Sequence, residues 1–76
     1  MNKKEIINKT KIWCEKEAKD VVKYTQSASL ARTRCYGIVM FVTNLLGYDS
    51  PASAELEKWW DDEMHKEFRR LIIEGY

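Results

Sequence analysis

The stretch Cys35-Tyr36-Gly37-Ile38-Val39-Met40-Phe41-Val42-Thr43-Asn44-Leu45-Leu46, closed by Gly47 and followed by Asp49-Ser50-Pro51, decides the fold. On a helical wheel its apolar residues occupy more than one face, so a single neighbouring helix cannot cover them. Ala31, Cys35, Ile38, Val42 and Leu45 make a 4-3-4-3 seam. Val39 and Leu46 widen it on one side; Leu30, Gly37, Phe41 and Tyr48 widen it on the other. A helix gripped from two sides is a central helix. Gly37 within it costs about 1 kcal/mol against alanine, which the close approach of another backbone would justify.

The flanking segments are charged and amphipathic. Helix one is expected over residues 2–25, with Ile6, Ile7, Thr10, Trp13, Cys14, Ala18, Val21 and Tyr24 on one arc and Lys9, Lys16, Lys19 and Lys23 opposite. A break follows at Thr25–Ser29. It lacks Gly and Pro, but its serines offer an N-cap for helix two over residues 29–46. One long helix through this region is the alternative. Helix three, over residues 51–74, has the clearest start: Asp49 or Ser50 as N-cap, Pro51 in the first turn, and Glu55 and Glu57 toward the positive end of the dipole. Leu56, Trp60, Met64, Phe68 and Leu71 form its core stripe, and Gly75 its end. Short connections make neighbours antiparallel. The expected fold is a single all-α domain over residues 1–76, a three-helix up-down-up bundle around a strongly apolar central helix.

Composition narrows the function. Charged residues are 33% and hydrophobic residues 45% of the 76, a globular balance. The net charge of +1 is a poor match to duplex DNA or an anionic membrane. No apolar leader follows the N-terminal lysines, and no run approaches the ~20 residues of a membrane span. Two cysteines do not make a disulfide framework. Buried, reduced thiols about one helical turn apart in height are expected, in a cytoplasmic protein of a bacterium or of an infected host.

Three constellations stand out. Glu17 and Glu67 fall within the apolar arcs of helices one and three, and Arg34 edges that of helix two. Arg34 is therefore expected to bridge Glu17, Glu67 or both in a buried polar layer, where removing one partner costs ~3–5 kcal/mol. A second face of helix three carries Trp59, Glu63, Lys66, Arg70 and Ile73 at i, i+4, i+7, i+11 and i+14, beside Asp61 and Asp62. Trp and Arg are hot-spot residues at interfaces, so this face is a candidate partner-binding surface, unless Trp59 lies over helix one. Tyr36, Met40, Phe41 and Tyr48 are candidates for self-association through the surplus apolar surface of helix two.

No catalytic residue, metal ligand set or cofactor site is read from the sequence. His65 has Asp61 and Asp62 on its own helical face, too few ligands for a metal. There is no glycine-rich phosphate loop. Helices two and three could be arranged as a helix-turn-helix, but Ser53, Ala54, Glu55 and Glu57 would then face the DNA and the acids would repel it. Residues 1–26 carry seven Lys against four acids, and residues 50–76 four Lys or Arg against seven acids. That asymmetry suits helix–helix attraction or association of copies. The expected function is a non-catalytic protein-interaction module that occupies a partner protein's surface. Such a module would be an adaptor or a stoichiometric inhibitor, including a phage or mobile-element accessory protein that blocks a host defence complex. A structural homodimer is the alternative, and a nucleic-acid-associated regulator a weaker one.

Overall fold

The computed structural model describes residues 2–75 and is all-α. Helix α1 spans Lys3–Tyr24, and Asn2 caps it, its side chain accepting from the Glu5 N–H at 2.9 Å. Its end explains how a segment without Gly or Pro stops a helix. Thr25 takes the left-handed conformation (φ 51°), and the N–H groups of Thr25 and Gln26 both donate to the Val21 carbonyl. A β-branched residue there is strained by about 1–2 kcal/mol. Ser27 then caps α2, Ala28–Leu46, accepting from the Leu30 N–H at 3.2 Å. Helices one and two are separate.

The second turn is held by serines. Gly47 (φ 94°) leads out of α2, and Ser50 caps α3, Pro51–Trp59, accepting from the Ser53 N–H at 3.1 Å. Ser53 itself is fully buried. Its hydroxyl shares one proton between the carbonyls of Gly47 (2.7 Å) and Thr43 (3.0 Å), tying the end of α2 to the start of α3. Ser53 is thereby turned into the junction of α2 and α3 and away from solvent.

The third helix is not one regular α-helix. A π turn over Trp60–Met64 joins α3 to α4, His65–Glu74, with the His65 N–H donating to the Trp60 carbonyl. The apolar spacing explains it. Leu56, Trp60, Met64 and Phe68 are separated by 4-4-4, longer than the 3.6-residue period, so a regular helix would carry the stripe steadily off the core. An i→i+5 turn holds one extra residue and brings Phe68 and Leu71 back into phase. Asp61, Asp62 and Glu63 bulge outward at that turn, and all three are exposed.

α2 is the central helix, packed against α1 on one side and against the third helix on the other. Across the α1–α2 seam Cys14 and Cys35 are buried neighbours, level rather than about one helical turn apart as expected. That register sets Ile7 against Val42, Thr10 against Val39, Ala18 against Ala31 and Val21 against Ala28, and all of these are buried. The third helix packs on one face of this hairpin, antiparallel to α2: Tyr36 meets Trp60 at 5.6 Å, and Arg32 reaches His65.

Deleting Asp62 turns the spacing from Leu56 to Leu71 into 4-3-4-3. The deletion variant is expected to keep its helical content and to melt no lower than the parent by circular dichroism. Loss of the cooperative transition would show that the π turn does more than restore phase.

Candidate protein-interaction surface

The hairpin has two faces, and the third helix covers one of them. The other, the back face, holds Ile6, Trp13 and Glu17 from α1 and Arg34, Ile38, Phe41 and Leu45 from α2. Its side is fixed by the Glu17–Arg34 ion pair at 2.9 Å, which lies across the seam away from Lys11, Val22 and Thr43. Trp13 is 55%, Phe41 64% and Leu45 67% exposed, while Ile6 and Ile38 are half-buried against the core. Trp13 and Tyr24 were expected on the core arc of helix one, and Leu45 in the seam of helix two. All three point to solvent, because the buried sector of each hairpin helix is centred nearer the third helix.

The other predicted surfaces divide. Trp59 is 8% exposed, with the Lys11 ammonium 5.8 Å from its ring centre, so it is a core residue lying under α1. The stripe predicted from Trp59 to Ile73 thereby loses its aromatic anchor. Its remaining members Glu63, Lys66, Arg70 and Ile73 are exposed, as are Asp61 and Asp62. Lys58 pairs with Asp62 at 3.1 Å, and Arg70 binds Glu67 and Glu74 at 2.7 and 2.6 Å. Of the self-association set, Phe41 belongs to the back face. Tyr36 and Met40 lie toward the third helix, beside a small recess shared with Trp60 and Asp61, and Tyr48 is exposed in the second turn.

The polar layer forms in part. Arg34 bridges Glu17 and also donates to the Gln26 side chain at 3.3 Å. Glu67 takes no part, since Arg70 on its own helix is nearer. The bridge is not buried: the Arg34 and Glu17 side chains are 46% and 23% exposed. Arg70 holds the Glu67 carboxyl below its ordinary pKa by hydrogen bonding, against a smaller opposing effect of burial. The Cys14 hydrogen bond and burial raise the Cys35 thiol away from ionisation, which keeps it a small hydrophobe rather than a nucleophile.

A groove of about 500 Å³ runs between α1 and the third helix over Ala18, Val22 and Met64. Its rim is Glu15, Lys19, Lys23 and Glu67. Acidic and lysine side chains of this kind are depleted from interface cores, whereas aromatic residues, Met and Arg are enriched. The back face has the second composition. Arg32 donates to the His65 Nδ1 (3.3 Å) and stacks over Tyr36 at 5.8 Å, which engages the single histidine in packing. Among the described residues no three potential metal ligands cluster, and every buried polar side-chain atom is hydrogen-bonded. No helix among them is long and apolar enough to cross a membrane.

Comparison with protein-family models, with curated proteins and with solved structures gave no match.

A half-exposed ion pair contributes little. Arg34→Met is expected to cost about 0.5 kcal/mol, read as a melting shift of no more than about 4 °C. A loss several times larger would mean the bridge is shielded in solution. Glu67→Gln is expected to lower stability at neutral pH. Because the folded pKa of Glu67 is depressed, its contribution is present above the unfolded value of about 4.3 and is lost as pH falls through the folded value. Parent and variant melting curves should therefore converge in acid, and a gap that persists there would contradict the assignment.

Proposed function

We infer that this chain is a non-catalytic protein-interaction module that works by laying the back face of its α1–α2 hairpin on another protein surface, as an adaptor or stoichiometric inhibitor does. The observation that carries the reading is the joint exposure of Trp13, Phe41 and Leu45 on one face. Large apolar side chains gathered on one side of a small domain mark an interaction surface. The Glu17–Arg34 pair, at the end of that face nearest the Thr25–Ser27 turn, supplies orientation rather than affinity. Two buried, unbridged thiols suit a reducing compartment, and the cytoplasm is the proposed site of action. The low charge of the face favours protein over nucleic acid, which rewards clustered lysine and arginine.

A photo-crosslinking phenylalanine analogue at position 41 tests this in cells that make the protein. It is expected to give a discrete protein adduct on irradiation, while the same group at the exposed Glu55 gives none. Equal labelling at both positions, or no adduct at position 41, would overturn the reading.

A further inference from the structure

The chain has two cysteines, Cys14 and Cys35, and both are fully buried and unbridged. The hairpin places them opposite each other. Outward from the Thr25–Ser27 turn, the buried seam positions of α1 are residues 21, 18, 14, 10 and 7. Those of α2 are residues 28, 31, 35, 39 and 42, at the same steps. The two helices leave one turn together, so equal counts from it face each other, and the cysteines share the third rung. The Glu17–Arg34 ion pair at 2.9 Å, beside that rung, holds the register. The two thiols also govern each other's ionisation, as close neighbours do: Cys35 lowers the pKa of Cys14, and Cys14 raises that of Cys35.

The seam is narrow enough there for the sulfurs to join. The rung nearer the turn is Ala18 against Ala31, both buried. Alanines close a seam only where their Cβ atoms approach contact, at about 4 Å. A disulfide needs Cβ atoms about 3.5–4.5 Å apart. At the next rung only two small thiol side chains fill the seam, and neither is exposed at all, so the close approach continues through Cys14 and Cys35.

We propose that Cys14 and Cys35 form a redox pair that closes an intramolecular disulfide across the α1–α2 seam, with a low-molecular-weight disulfide such as oxidised glutathione as the oxidant. One cysteine loses its proton, and its thiolate attacks a sulfur of the oxidant. A mixed disulfide forms and one glutathione thiolate leaves. The other cysteine, also deprotonated, attacks the protein sulfur of that mixed disulfide. The Sγ–Sγ bond forms and the second glutathione thiolate leaves. The chain gives up two electrons, and the oxidant is reduced to two glutathione molecules. Neither sulfur is exposed, so the first attack happens only while the seam is open, and the finished bond is shielded by the same burial. The bond ties the middle of α1 to the middle of α2 across 20 intervening residues and restricts the unfolded chain. Both helices of the back face are then locked in register, whatever that face binds.

The equilibrium constant for bridging in glutathione buffers tests the pair, measured once with folded protein and once in denaturing urea. Acid quenching and mass spectrometry read the bridge as the loss of two hydrogens from a single chain. The constant is expected to be at least about tenfold larger for the folded chain, because a bond that fits the fold stabilises it. By the same linkage the bridged chain should melt at least about 5 °C above the reduced one. A constant no larger in the folded chain than in urea would overturn the pair. So would a folded chain that stops at one bound glutathione, or one that bridges to other chains instead of within itself.

Discussion

Everything in this fold depends on how closely α1 and α2 approach. The seam between them is lined by Cys14, Ala18, Ala28, Ala31 and Cys35, all small and all buried. Small residues let two helix backbones come together over this part of their length. The hairpin that results is thin, and its helices can present apolar side chains on both broad faces. A chain of 76 residues buries only about 60% of its unfolded surface and has few ways to build a core. Here the two small cysteine side chains fill the middle layer of the seam where a larger side chain would push the helices apart.

The third helix completes one face and shows what that requires. Leu56, Trp59, Trp60, Met64, Phe68 and Leu71 are buried over about four turns, and the π turn keeps them in phase. The extra residue is taken up on the solvent side, where three consecutive acids tolerate it. Ser53 locks the same helix to the end of α2 through two carbonyls. With α3 and α4 fixed on the front, nothing within the described chain reaches Trp13, Phe41 or Leu45 on the back. The uncovered face is thus a consequence of a tight hairpin and a single additional layer.

Much of this was legible in the sequence. The helix boundaries follow from Asn2, Ser27, Ser50, Pro51 and Gly47, because capping is local chemistry. The Glu17–Arg34 pair follows from antiparallel register. The 4-4-4 spacing from Leu56 to Phe68 was also a readable sign of the π turn, although a regular helix was expected there. Two kinds of feature were not legible. Trp13 and Trp59 exchange their expected roles, because helical periodicity gives the arc a residue occupies but not the side from which the next helix arrives. Glu67 turns to Arg70 instead of Arg34, because an i+3 partner needs no tertiary alignment. Ser53 gave no signal beyond its place in the first turn of α3, since its bonds depend on where the end of α2 lies.

The central claim is that one hairpin face is closed by the chain itself and the other is left open. Fluorine NMR of the protein labelled with 5-fluorotryptophan tests it directly, because each of the three indoles reports its own contact with solvent. In dilute solution the Trp13 resonance should shift between H2O and D2O, and those of Trp59 and Trp60 should not. Three solvent-insensitive indoles, or a sensitive Trp59 or Trp60, would contradict this arrangement of helices.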